Sequence, residues 1–342
     1  MNHNMRTWVD DIISSGRQCA FPLMAYAGIE LTQVPLDDIV RNGAQQAACV
    51  VALAARYSAV ASVTVMDLSV ESEAFGSEMR TMVNEIPTIA GSIVRDAEDA
   101  ERLTVPEIGS GRTSVYLEAA SRAAAEIKDT PVFGCHIGPF SLAGRLCGMT
   151  ETLMNVHTDP EMLHIVLQKT AEFLVNYARA FKEAGVNGII IAEPAAGLIS
   201  PDHCDEFSSQ YIASIVNAVQ DDRFMVILHN CGGIGNHAVS MASTGAAGLH
   251  FGNSADMMKV LTEIPSGILV LGNIDPVGVL KEGTEDDIQH EMLRLLRDTS
   301  GYSNFVLSTG CDVPPGTPLC NIDTFFRVLE EYNRKMQYGK CL

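Results

Sequence analysis

A histidine and two cysteines stand where runs of β-forming residues give way to turns, and together they could hold a metal ion. His229 and Cys231 lie two apart in Phe224-Met-Val-Ile-Leu-His229-Asn230-Cys231-Gly232-Gly233, and Cys311 lies just past another apolar run in Ser308-Thr309-Gly310-Cys311-Asp312. Residues two apart on a strand share a face, so the imidazole of His229 and the thiol of Cys231 point together while Asn230 turns away. One nitrogen and two sulfurs leave the fourth corner of a tetrahedron open, the arrangement of a catalytic zinc that must bind a substrate atom. By spacing alone the commoner fate of such residues is packing, because an H-x-C with a distant cysteine is a weaker signal than a paired CxxC. Their position at strand ends tips the balance toward metal.

Glu193, in Ile189-Ile-Ile-Ala-Glu193-Pro194, ends the neighbouring apolar run. Its carboxylate fits two roles equally: a fourth, exchangeable zinc ligand or proton carrier, or a structural acceptor for a backbone amide or a partner for Arg145. His250 and Asp67 hold comparable positions with weaker claims, as do His136 and the segment 273–275. His157, His164 and the pair His203-Cys204 fall on or near helices without partners at metal spacing and read as structural. Gly232-Gly233-Ile-Gly235 resembles a phosphate cradle only superficially; glycines here suit a tight turn past the metal.

The elements that must position these residues follow a β/α rhythm. Runs rich in Val, Ile, Leu and Phe at residues 21–27, 60–67, 131–136, 188–193, 224–231, 247–251, 268–273 and 304–309 read as eight strands. Helical periodicity fills the gaps at 36–57, 112–128, 161–184, 202–219, 234–243, 255–263, 284–298 and 322–336. Asp159-Pro160, Ser200-Pro201 and Ser254 offer capping side chains at helix starts. Eight strand and helix pairs predict a single (β/α)8 TIM barrel spanning 1–342, with 1–20 as an N-terminal extension and 68–130 as a long insertion after the second strand. In such barrels chemistry sits at the C-terminal ends of the strands, where the metal-capable side chains are concentrated.

Composition bounds the rest. The chain has 342 residues, 47% of them apolar, with a net charge of -19 from 23 basic and 42 acidic side chains. That charge argues against nucleic acid or an anionic membrane as partner, since either needs a dense cationic face. No apolar run approaches a membrane span, and the first twenty residues lack a basic start followed by an apolar stretch, so neither a span nor a secretory signal is expected. Nine cysteines, an odd number, fit reduced thiols in the cytoplasm.

Further motifs carry a family resemblance. Asp67-Leu-Ser-Val-Glu71-Ser-Glu73-Ala-Phe75-Gly76, Gly138-Pro139-Phe140-Ser-Leu-Ala143-Gly144, Glu193-Pro194 with Ser200-Pro201, Leu228-His229-Asn230-Cys231-Gly232, and Gly310-Cys311-Asp312 with Thr317-Pro318 occur in that order. From about Pro22 to Tyr332 the sequence resembles the uroporphyrinogen decarboxylase superfamily, and within it the methyltransferase branch typified by methylcobamide:coenzyme M methyltransferases and the methyltransferases of corrinoid-dependent O-demethylases. The resemblance implies a barrel holding Zn2+ through His229, Cys231 and Cys311. It also implies transfer of a methyl group between a corrinoid and a small-molecule donor or acceptor, either a thiol such as coenzyme M or a methoxylated aromatic.

No D-x-H-x-x-G pattern is present, so the corrinoid is expected on a separate protein docking over the barrel mouth, with residues 68–130 and 144–154 as docking or lid segments. Two alternatives remain. A tetrapyrrole decarboxylase would need cations for a polycarboxylate, and Phe21-Pro-Leu-Met-Ala-Tyr-Ala-Gly-Ile-Glu30 has none. A barrel binding metal or a corrinoid protein without turnover would have no use for a vacant ligand position.

Overall fold

The computed structural model describes residues 3–81, 85–233 and 236–337. Its sheet is built from β1 (Ser62–Val63), β4 (Val132–Ile137), β5 (Gly188–Ala192), β6 (Met225–Asn230), β7 (Gly248–Phe251), β8 (Leu269–Ile274) and β9 (Phe305–Thr309), all parallel and in that order, while β2 (Glu78–Arg80) and β3 (Thr88–Ala90) form a separate antiparallel hairpin. The eighth position is taken by extended residues around Ala20. Phe21 N–H donates to the Leu307 carbonyl (2.9 Å), Leu307 N–H to Cys19 (2.9 Å) and Val60 N–H to Ala20 (2.9 Å), which links the two outer edges of the curled sheet. The result is the (β/α)8 TIM barrel expected from the strand rhythm.

The strands are apolar on both faces because both are covered, as parallel sheets require. Phe133, Cys135, Ile190, Ala192, Met225, Ile227, Leu269, Leu271 and Val306 form one buried cluster inside the ring, and the alternate residues Ile189, Ile191, Val226, Leu228, Val270 and Leu307 pack under the surrounding helices. The first helix packs against the interior cluster. Asn4 caps the helix Met5–Ser14, its side chain accepting from Thr7 N–H at 2.9 Å, and Met5, Val9 and Ile12 join the interior cluster while Trp8 packs on Phe133.

Several boundaries differ from the sequence expectation. The first strand stops short: residues 25–27 form a 3-10 turn that runs into the helix Gly28–Thr32. The expected helix 36–57 is two, Leu36–Ile39 and Gly43–Arg56, because the Asn42 side chain accepts from Ala44 and Gln45 N–H and starts a new helix. Gly43 is required there, since a Cβ would lie 2.7 Å from the Val115 carbonyl oxygen on the adjacent helix Thr113–Glu126. Asp256, not Ser254, caps Met257–Glu263. The stretch beginning at Pro201 contains a wide turn at Asp205–Ser209 before Gln210–Val219. The expected helix 234–243 is seen as Ala238–Ser243; positions 234 and 235 lie outside the described residues.

Within 68–130, Thr113–Glu126 packs on Gly43–Arg56 and β4 as a barrel helix does. The remainder carries the helix Val70–Ala74, the β2–β3 hairpin and the helix Ala97–Arg102. A buried ionic knot ties this segment to the end of the second strand. Arg112 reaches Asp67 Oδ2 (2.6 Å), Glu73 Oε2 (2.6 Å), Ser69 Oγ (2.8 Å) and the Val40 carbonyl (3.3 Å), and Tyr116 donates its hydroxyl to Asp67 (2.8 Å).

Candidate metal centre

The register of the sheet sets the three sequence-selected ligands side by side. His229 is the fifth residue of β6, on the interior face with Met225 and Ile227, and pairs with Ala192 on one side and His250 on the other. Cys231 follows one residue beyond the strand, where Gly252 lets the next loop approach: a Cβ there would lie 2.7 Å from Cys231 Cα. Cys311 arrives from the turn after β9. Its Sγ lies 3.8 Å from His229 Nε2 and 3.9 Å from Cys231 Sγ, and the three donor atoms fall within 4.8 Å of one another. A zinc tetrahedron with bonds of ~2.3 Å to sulfur and ~2.0 Å to nitrogen has edges of roughly 3.5 to 3.8 Å between those atoms. Cys311 Sγ therefore stands about one tetrahedral edge from each of the other two donors, and the donor set, soft thiolate sulfur with imidazole, suits Zn2+.

The thiols are electrostatically unequal. Cys311 donates to Cys231, and that bond, with burial, pushes the Cys311 thiol up to about 12. Accepting the same bond lowers the Cys231 thiol despite its burial. A metal taking both as thiolates must displace protons.

Behind the ligands runs a buried polar chain. His229 Nδ1 is 2.8 Å from His250 Nδ1, His250 Nε2 is 2.8 Å from Ser308 Oγ, and Ser308 Oγ is 2.6 Å from the Phe21 carbonyl oxygen. Burial, then the neighbouring His229, hold His250 well below the ordinary histidine range, so it is neutral.

Glu193 stands elsewhere. It continues the outward face of Ile189 and Ile191 and accepts Phe140 N–H on Oε2 (3.0 Å) and Ser141 N–H on Oε1 (2.6 Å), at the start of the helix Pro139–Cys147. Burial raises its carboxyl to about 7, against the lowering effect of those bonds. Of the roles weighed for it, the backbone-amide acceptor is the one its contacts fill, and it is not among the clustered ligands. His136 packs its ring toward Tyr177 on the helix side, its Nδ1 2.7 Å from the Ile137 carbonyl, and burial drives it down to about 4. Asp67 belongs to the Arg112 knot; Asn273 donates to the Gly252 and Ala255 carbonyls, and Asp275 closes a turn onto Val277 and Gly278. His164 bonds the Tyr211 hydroxyl at 2.7 Å, and His157 packs edge-on against His203. Gly232 serves close approach, a Cβ there colliding with the Pro194 carbonyl.

Two carboxyls had no individual role in the sequence reading. Glu71 is fully buried, with Oε1 3.4 Å from Ile137 N–H and Oε2 unpartnered, and burial raises it to about 8. Asp312, next to Cys311, has a buried Oδ1 without a partner and is raised by burial and by the Cys311 sulfur. Nothing in the local sequence marks Glu71: its neighbour Glu73, the same residue type two positions on, is partly exposed and reaches Arg112.

The protein is a (β/α)8 barrel in which an imidazole and two thiols converge at the C-terminal ends of the strands, a donor set that could hold a soft divalent ion. The chain belongs to the uroporphyrinogen decarboxylase (URO-D) family, whose match runs over residues 15–332. Within it the chain is 29% identical over 270 residues to "Methylcobamide:CoM methyltransferase MtbA" of Methanosarcina acetivorans, 78% of each chain being covered. It is 26% identical over 310 residues to a "Uroporphyrinogen decarboxylase" of Hydrogenovibrio crunogenus, covering 87% of this chain and 86% of the other. A solved structure of a methyltransferase from Methanosarcina mazei shares the fold with a TM-score of 0.85 at 23% identity, over 96% of this chain and 99% of that one. Among the described residues no helix is long and apolar enough to cross a membrane.

Proposed function

We propose that the chain is a zinc-dependent methyltransferase that moves a methyl group between a corrinoid carried by a separate protein and a small-molecule thiol. The observation that carries this reading is the convergence of one His229 nitrogen, Cys231 Sγ and Cys311 Sγ within 4.8 Å of one another, with Cys311 Sγ 3.8 Å from His229 Nε2 and 3.9 Å from Cys231 Sγ. These side chains would hold the ion, with His229 fixed on a central strand and both cysteines on the turns beside it. Zinc bound by two thiolates and a neutral imidazole supplies a modest Lewis acid, suited to lowering the pKa of a substrate thiol from about 8.5 and keeping it nucleophilic.

The rest of the chain supplies position. The Arg112 knot secures the segment that follows Asp67, and Glu193 secures the helix Pro139–Cys147, so the surroundings of the mouth are set by buried contacts. Residues 68–130 and 144–154 would form the docking surface or lid for the corrinoid protein. The decarboxylase reading is disfavoured by the same centre, because removal of carboxyl groups gives no use to two convergent thiols, and residues 21–30 bring no cation for a polycarboxylate.

Metal analysis is expected to give about one zinc per chain, and His229→Ala, Cys231→Ser and Cys311→Ser each to lose metal and methyl transfer from methylcobalamin to thiols while keeping the fold. Full zinc in all of these variants would overturn the reading. Turnover of uroporphyrinogen by metal-free protein would establish the decarboxylase instead. Methylation of a reduced corrinoid by a methoxyarene, with no transfer to any thiol, would assign the demethylase direction.

A further inference from the structure

We propose that His250 and Ser308 are positioning residues that fix the tautomer of His229, leaving Nε2 bare toward the cysteines and the ring proton on Nδ1. The inference rests on the zinc reading only for its consequence; the proton order follows from the hydrogen-bond chain itself.

The chain starts at an atom that can only accept, the carbonyl oxygen of Phe21. Ser308 Oγ, 2.6 Å away, must direct its one hydrogen there. His250 Nε2, 2.8 Å from Ser308 Oγ, therefore faces an oxygen with no hydrogen to give, and donates to it. A neutral imidazole has one N–H, so His250 Nδ1 is bare and accepts. Its partner at 2.8 Å, His229 Nδ1, must then carry the hydrogen. The remaining nitrogen, His229 Nε2, is left with its lone pair 3.8 Å from Cys311 Sγ, on the side where the donors converge. Reversing one link alone sets two hydrogens or two lone pairs face to face, and reversing all of them strips the Phe21 carbonyl of its donor; His229, His250 and Ser308 are all buried, beyond the reach of solvent.

The strand register makes this possible. His229 pairs with His250 across β6 and β7, and Ser308 stands in β9, whose other edge meets the Phe21 segment. The chemical consequence is specific. Ligating histidines are commonly oriented by a carboxylate or carbonyl on the second nitrogen. A neutral imidazole in that place orients His229 without adding charge, so two thiolates alone balance Zn2+ and the ion keeps acidity for a substrate sulfur.

The test separates orientation from packing by replacing His250 with two amides. His250→Asn places a polar atom near the Nδ1 position and can accept from His229; His250→Gln places one near the Nε2 position, reaching Ser308 but leaving His229 Nδ1–H unpartnered. Chelator competition is expected to show zinc affinity kept within about threefold in His250→Asn and reduced roughly 10- to 100-fold in His250→Gln. Long-range proton–nitrogen spectra of histidine-labelled protein read the tautomers directly: Nδ1–H on His229 and Nε2–H on His250, with or without zinc. Equal zinc affinity in the two variants, or a proton on His250 Nδ1, would overturn the proposal. If the unaltered protein binds no zinc, the function reading fails, and the metal-free spectrum still decides the tautomer. If a variant fails to fold, the spectrum of the unaltered protein decides.

Discussion

Glu71 shows how a single buried residue couples this fold to pH. Its carboxyl, with one oxygen unpartnered, titrates at about 8 in the folded protein, against about 4.3 for an exposed glutamate. The folded state thus holds a proton that the unfolded chain has released, and stability falls as pH rises from the unfolded value through the folded one. Glu71→Gln should flatten that dependence: between pH 5 and 8.5 the wild type should lose stability relative to the variant by an amount on the order of a few kcal/mol, read by denaturant unfolding. Parallel curves for the two proteins would show that Glu71 ionises normally. The convergence of His229, Cys231 and Cys311 was legible in the sequence because metal-capable side chains at strand ends are informative without knowing tertiary contacts. Ser308 was not, since a serine in a strand is common and its role depends on a neighbour two strands away. Glu193 was half legible: its place at a strand end was right, but the outward parity it shares with Ile189 and Ile191 turns it to the Pro139–Cys147 helix.

At the scale of elements, the alternation of apolar runs and helical periods was readable because a parallel strand buried on both faces leaves an unbroken Val, Ile and Leu signature, as in Gly188–Ala192. The breaks were harder. Apolar periodicity continues across Asn42, and what ends one helix and starts another is a side chain binding backbone amides beside a glycine that another helix crowds. The function of Met5–Ser14 likewise emerges only in three dimensions, as packing against the interior cluster. Ile12→Ala should cost about 2 to 4 kcal/mol on unfolding, with the change visible in the fluorescence of Trp8, the chain's one tryptophan. A cost below about 0.5 kcal/mol would mean that the helix is not part of the core. Arg112→Met should be worse, about 3 to 5 kcal/mol by denaturant titration, because Asp67 would remain buried with its charge uncompensated. A neutral outcome would mean that Tyr116 and Ser69 satisfy Asp67 alone.

For the molecule as a whole, the net charge of -19 bears on both the substrate and the partner of the proposed function. A polycarboxylate substrate is disfavoured in bulk solution, and a partner that brings the corrinoid should meet this surface with neutral or basic side chains. In the proposed function His229, Cys231 and Cys311 hold zinc with a ligand position free for a thiol. Zinc-edge X-ray absorption tests it most directly. The expected shell has one nitrogen at ~2.0 Å and two sulfurs at ~2.3 Å from the protein, with a third sulfur entering when the acceptor thiol is added. A shell without two protein sulfurs, or one that no thiol alters, would contradict it.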